Sequence, residues 1–221
     1  MQKSKSQEKI VFKKPPFDSV KSTMSTDLGR FKIRGPIDPD RLARYNLAES
    51  LCCFRIPCRQ HEALIKLAGE PDGLVFTASL ARIVVAYASF QKPDYPWWQK
   101  RYSPQLFELG TIETDIAWRK MGLSNMLLKN IFDNSDFNFF ENFIVMAFQF
   151  VHGWDLKNTG MSPWAYQEFM VRLFAKYNFT TWETVDPEIR EHPCNILLAR
   201  IGKNISAKMI ENFYNCCLGT N

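Results

Sequence analysis

From residue 29 onward, short apolar runs of strand length alternate with stretches whose apolar residues recur at helical spacing. Phe31-Lys32-Ile33 switches sides at every residue and stops at Gly35-Pro36, which predicts a short strand. Asp38-Pro39 opens a helix carrying Leu42 and Tyr45. A second helix from about Arg59 gathers Ala63, Leu64, Leu67 and Ala68 on one face before Gly69. Residues 74–79 and 83–90, rich in Val, Ile, Phe and Tyr, read as two strands joined by a tight turn. Residues 107–116 predict another strand, and a helix over 122–132 turns Leu123, Met126, Leu127 and Ile131 inward. The nearly all-apolar 143–151 fits a strand covered on both faces. Ser162-Pro163 starts a helix whose Trp164, Phe169, Leu173 and Phe174 repeat at helical spacing. Residues 179–183 and 195–201 close the chain as strands before a last helix capped by Ser206.

This order predicts a mixed α/β sheet with helices on both faces. Residues 1–28 mix Lys, Ser and Gln with Pro15-Pro16 and too few apolar positions to pack, so a flexible basic extension is expected ahead of one domain over 29–221. The connection 92–105 holds Pro93, Pro96 and Pro104, which predicts a surface loop that is neither helix nor central strand. Its Tyr95, Trp97, Trp98 and Tyr102, beside Lys100 and Arg101, either dock a partner or tuck against the body.

Charge and cysteine usage narrow the class. The net +5 of the 221 residues is uneven: residues 1–28 carry six lysines against Glu8, Asp18 and Asp27. The remaining body is near neutral, unlike a dedicated nucleic-acid binder. Cys52, Cys53, Cys58, Cys194, Cys216 and Cys217 form no C-x-x-C pair, and His61, His152 and His192 lie far apart, so no zinc framework is expected. Adjacent cysteines, no apolar leader and no run long enough to span a bilayer together predict a cytoplasmic protein with reduced thiols.

One junction carries chemistry. The strand running from Glu108 to Ile116 passes through a small-residue turn at 118–124 straight into an amphipathic helix. Amides at a helix N-terminus lack internal partners and carry partial positive charge, so they suit a pyrophosphate, and Arg119 and Lys120 add cationic charge.

The span Arg119-x-x-Gly122-x-Ser124 after a strand resembles the acyl-CoA signature R/Q-x-x-G-x-G/A of the GNAT superfamily of N-acetyltransferases, with Ser where Gly or Ala is usual. The element order is similar to that superfamily's fold, a mostly antiparallel sheet splayed at its fourth and fifth strands. From about Phe31 to Gly202 the chain resembles the acetoin-utilisation acetyltransferases of the superfamily. The shared segments are Gly35-Pro36-Ile37, Gln60-His61-Glu62-Ala63-Leu64, Glu108-Leu109-Gly110, His152-Gly153-Trp154-Asp155-Leu156-Lys157, Asp186-Pro187-Glu188-Ile189 and Arg200-Ile201-Gly202. The resemblance implies an acetyl-CoA-dependent protein lysine acetyltransferase that down-regulates AMP-forming acetyl-CoA synthetase. Its partners would be coenzyme A and that synthetase, with no metal, nucleic acid or membrane.

By the same resemblance, backbone groups of Ile112 and Thr114 would pair with the pantetheine arm, and donors near them would stabilise the oxyanion. Arg119, Lys120, Met121, Gly122, Leu123 and Ser124 would hold the diphosphate. A lysine amine, with an ordinary pKa of about 10.4, must lose a proton before it attacks. Glu108 stands eleven residues before the loop arginine, where several members carry their base, and Glu113 sits nearer the splay. Each is equally a partner for a nearby Arg or Lys. The superfamily's acid tyrosine is replaced near Phe174, which leaves Tyr166 as a substitute or as a packed tyrosine. Asp115 suits a solvated or helix-capping role, and His61 suits a backbone carbonyl. His152, Trp154 and Asp155 follow a strand at its C-terminal end and are expected to line the acceptor-lysine entrance. Two other readings stay open: an acyl-CoA sensor that inhibits its synthetase by docking, and a small-amine acetyltransferase.

Overall fold

The alternation at 29–35 builds β2 (Gly29–Gly35), with Phe31 and Ile33 buried. Its partner is β1 (Val20–Thr26), paired along its full length from Val20 opposite Gly35 to Thr26 opposite Gly29. Residues 20–26 therefore belong to the sheet, which corrects the expected extension through residue 28. Only Val20 and Met24 are apolar on the inward side of β1, too few for its period-two pattern to register. The computed structural model describes residues 12–100 and 104–220, so Lys3, Lys5, Lys9, Arg101 and Tyr102 fall outside it. Phe12 packs its ring 5.3 Å from that of Phe107, and Lys14 Nζ donates to the carbonyls of Ala68 (2.6 Å) and Glu70 (2.8 Å).

The remaining elements follow in order: α1 (Pro39–Leu42), β3 (Asn46–Leu47), α2 (Pro57–Gly69), β4 (Leu74–Leu80), β5 (Ile83–Gln91), α3 (Pro96–Gln99) and β6 (Leu106–Thr114). After them come α4 (Leu123–Phe132), β7 (Ile144–Gln149), α5 (Leu156–Thr159), α6 (Pro163–Ala175), β8 (Phe179–Trp182), α7 (Pro187–Arg190), β9 (Ile196–Ile201) and α8 (Ala207–Leu218). Pro opens five of these helices at the first turn, where its missing N–H removes no intrahelical bond. One of them, α3, corrects the expectation that 92–105 contains no helix. Its aromatics tuck inward: Trp98 is buried and donates Nε1 to Asp186 Oδ2 (2.8 Å), and Trp97 donates Nε1 to the Cys216 carbonyl (3.2 Å).

The nine-stranded sheet runs β1-β2-β4-β5-β6-β7-β9-β8, with β3 paired to β5. Every neighbour along that order is antiparallel except β6 and β7, which run parallel and pair only over Leu106–Glu108 against Ile144–Met146. Beyond Glu108 the two strands part, so the β6 edge from Leu109 to Thr114 has no strand partner on that side among the described residues.

Helices cover both faces. On one, α4 and α6 seal the largest core, built around Phe76, Phe90, Phe107, Phe140 and Phe174. The other face carries two separate cores. Leu42 and α2 pack over Val75, Val84 and Tyr87, while α8 and Trp98 pack over Ile144, Met146, Leu197 and Ala199. The gap between these two cores lies beside the splay. Gly35 permits one close approach in the sheet, because a Cβ there would meet the Phe76 ring at 2.2 Å.

Candidate active site

The β5–β6 register moves by one residue between Ser89 and Phe90, which leaves Gly110 as an extra residue on β6. Glu108, Thr111 and Glu113 consequently stand opposite Gln91, Ser89 and Tyr87 and share one face. Without the bulge, the odd spacing between Glu108 and Glu113 would put them on opposite faces.

Their surroundings differ. Glu108 is 3 % exposed, lines a cleft of about 790 Å³ at the splay, and has no hydrogen-bond partner for Oε2. Burial first, and then the Asp94 charge, push its carboxyl up to about 8, against a smaller lowering by the hydrogen bond with Gln91. Glu113 has both oxygens occupied. Oε1 accepts from the Cys53 amide (2.8 Å) and Oε2 from the Tyr87 hydroxyl (2.6 Å), so this carboxylate pins the 50–55 loop to the sheet. The Cys53 thiol beside it is pushed up to about 12, chiefly by burial and by Glu113.

The turn into α4 is built for free amides. Lys120 (φ 65°) and Gly122 (φ 79°) both take left-handed backbone, and nothing lies within 4 Å of a Cβ at Gly122, so only its backbone conformation favours glycine there. The α4 N-cap is Gly122, with no side-chain cap. Among the described residues, the amides of Lys120 to Asn125 meet no protein acceptor. Met121 packs against the main core and Leu123 is buried in it, which anchors the turn while its N–H groups stay available. Ser124 donates to or accepts from the Thr114 hydroxyl (2.7 Å), tying the start of α4 to the end of β6. Asp115 accepts from the Ala117 amide (2.9 Å) and from Ser50 (2.6 Å), the capping duty expected of it.

Arg119 is turned away from the role expected of its side chain. Its Nε donates to the Thr114 carbonyl (3.2 Å) and its Nη2 pairs with Asp155 Oδ2 (2.6 Å), both groups being largely buried. Burial pushes the Asp155 carboxyl up, but hydrogen bonds from Asn158 and Arg119 outweigh it and hold the group below the usual carboxylate range. Asp155 also caps α5 through the Asn158 amide (3.3 Å) and stands outside the lining of the cleft. Arg119 and Asp155 therefore form a strut between the turn after β6 and the segment after β7.

His152, Trp154, Ile112 and Tyr166 all line the cleft. His152 stacks on Phe150 (5.3 Å, 16°), and Trp154 stacks on Tyr166 (5.0 Å, 20°). Burial pushes the Tyr166 phenol up, so it keeps its proton. His61 meets the Leu42 carbonyl through Nε2 (3.0 Å).

Sequence reasoning passed over Gln60 and Asp94, which also line the cleft. Gln60 had a signal: a polar residue on the buried face of α2, 2 % exposed, at a position where the helix otherwise packs apolar side chains. Asp94 had none, since its place depends on how the 92–105 connection folds.

Acetoin utilization protein AcuA of Bacillus licheniformis is 35% identical over 192 residues, 86% of this chain and 90% of that protein. AcuA of Bacillus subtilis is 36% identical over 194 residues, 87% and 90% of the two chains. The chain belongs to the AcuA family. The crystal structure of an acetoin utilization protein from Exiguobacterium sibiricum 255-15 matches with a TM-score of 0.85 at 32% identity, over 93% of this chain and 95% of that one. No protein-family model matches. In this AcuA-family chain the mixed sheet parts at β6 and β7, beside the turn of free amides that leads into α4. The residues present fit an acyl-CoA: free amides at 120–125, an open β6 edge at 109–114, and a cleft leading to Glu108. Among the described residues no three His, Cys, Asp or Glu are grouped to hold a metal, and no helix is long and apolar enough to cross a membrane.

Proposed function

We propose that this chain acetylates a lysine side chain of a protein, AMP-forming acetyl-CoA synthetase, and thereby lowers that enzyme's activity. The single observation that carries the lysine reading is Glu108, a buried carboxyl with an unpartnered oxygen at the foot of the splay and a pKa raised to about 8. An amine that enters protonated needs a base of that strength, and an ordinary surface carboxylate would be far too weak.

Acetyl-CoA supplies an acetyl thioester as the acyl donor. Amides of Lys120 to Ser124 hold its diphosphate, and the β6 edge orients the pantetheine arm through Ile112 and the Thr114 amide, the Thr114 carbonyl being taken by Arg119. Glu108, in its ionised form, takes one proton from the lysine ammonium; the freed amine nitrogen bonds the acetyl carbon, the carbon–sulfur bond breaks, and the second proton leaves nitrogen for solvent. Tyr166 supplies a proton to the departing sulfur and regains one from solvent. The apolar ring pair of Trp154 and Tyr166 keeps that part of the cleft free of competing water.

Incubating the chain with acetyl-CoA and an AMP-forming acetyl-CoA synthetase, followed by peptide mass spectrometry and a synthetase assay, tests the reading. One acetylated lysine and a proportional loss of synthetase activity are expected. An unmodified and fully active synthetase removes this substrate, inhibition without acetylation favours docking, and faster turnover of free polyamines favours the small-amine reading.

A further inference from the structure

We propose that the end of the cleft between Tyr95 and His152 is an acceptor subsite selecting a lysine that is flanked by further positive charge. The proposal rests on the lysine-acetyltransferase reading and specifies the sequence around the acceptor.

One wall of this end is aromatic. Tyr95 lies 4.9 Å from Phe148 and 5.7 Å from Phe150, ring centre to ring centre, and His152 continues the row by stacking on Phe150. All four rings line the cleft. Such a wall packs the methylene chain of a lysine and presents electron-rich ring faces to an ammonium group.

Carboxylates surround that wall. Asp94 is exposed on the same lining, one residue before Tyr95, and the buried Glu108 with its unpartnered Oε2 closes the floor. Glu188, half-buried at the start of α7, lies outside the cleft lining but within electrostatic reach of Asp94 and His152. Among the described residues none of these three carboxylates has an ion-pair partner. The basic groups of the lining belong to the α2 side of the cleft: Arg55, whose Nη1 donates to Gln60 Oε1 (3.3 Å), precedes α2, and Lys66 lies on α2, which covers the other core. Asp94 and Glu188 carry like charge beside the ring wall without an ion pair among the described residues, and a cation placed there relieves their repulsion. The acceptor ammonium neutralises the site only in part. Asp94 and Glu188, nearer the mouth, are left for cationic neighbours of the lysine.

The test uses three peptides of equal length, with the acceptor lysine flanked by Arg, by Ala or by Glu, assayed by release of coenzyme A. The Arg-flanked peptide is expected to exceed the Glu-flanked one at least tenfold in kcat/KM, mainly through KM. In an Asp94→Asn, Glu188→Gln double variant that ratio falls to about threefold or less. The ratio between peptides is the readout, because Asp94 also raises the Glu108 carboxyl and its removal alters kcat for all three peptides alike, while calorimetric affinity for coenzyme A is unchanged. Equal turnover of the three peptides by the parent chain, or an undiminished ratio in the variant, overturns the subsite while leaving the lysine reading intact. Turnover of none of them by a chain that binds coenzyme A overturns both.

Discussion

Glu108 is the base of the proposed chemistry, and its raised pKa has consequences with a definite sign. The folded chain holds this proton up to about pH 8, whereas an unfolded glutamate releases it near 4.5. Stability therefore falls as pH rises through that window and is level on either side of it. Glu108→Gln removes the penalty. Its unfolding free energy should match the parent's at pH 4 and exceed it at pH 8 by on the order of 1 to 4 kcal/mol, seen as a higher melting temperature in calorimetric scans at pH 8. The same variant should lose roughly a hundredfold or more in kcat, together with the rising limb of the kcat/KM profile centred near pH 8. Retained activity with the stability gain present would move the base elsewhere. Glu113 shows why residue type alone did not distinguish the two: both are buried on β6, and what separates them is the Cys53 amide and the Tyr87 hydroxyl that occupy one and leave the other free.

At the scale of elements, the β6 bulge and the turn into α4 act together. The bulge at Gly110 puts Glu108 and Glu113 on one face, and the Thr114–Ser124 hydroxyl contact fixes where α4 begins. Ser124 in place of the usual Gly or Ala is thereby accounted for. Ser124→Ala should cost about 1 kcal/mol of stability and leave affinity for coenzyme A within about threefold, since the donors are backbone amides. The Arg119–Asp155 strut joins this turn to the segment carrying His152 and Trp154. Arg119→Ala and Asp155→Ala should each cost about 1 to 2 kcal/mol, and the double variant should cost less than their sum, as read by chemical denaturation. Strict additivity would show that the pair is not coupled. The motif made the loop visible in the sequence, but nothing in the spacing of Arg119 and Asp155 announced that they would meet, because their contact depends on how α5 returns toward β6.

At the scale of the molecule, the cleft exists because one face of the sheet carries two cores instead of one. Trp98 joins α3 to α7 through Asp186, a buried carboxylate that also accepts from the Glu188 amide (3.0 Å). Trp98→Phe should leave one of its oxygens without a donor and cost about 2 to 4 kcal/mol. Because Tyr95 is carried on the same segment, KM for the acceptor should rise while affinity for coenzyme A holds. Truncation of Phe213, fully buried in the α8 core, should cost about 3 to 5 kcal/mol by thermal unfolding. The sequence by itself determined the elements with strong periodicity, the mixed α/β class and the turn at 118–124 that opens α4, since hydrophobic spacing and backbone needs are local properties. Tertiary structure alone decided that β1 joins the sheet, that the Pro-rich connection packs inward as α3, which glutamate stays unpartnered, and that Arg119 serves Asp155. Each of these depends on contacts between residues remote in sequence, for which a linear pattern carries no signal.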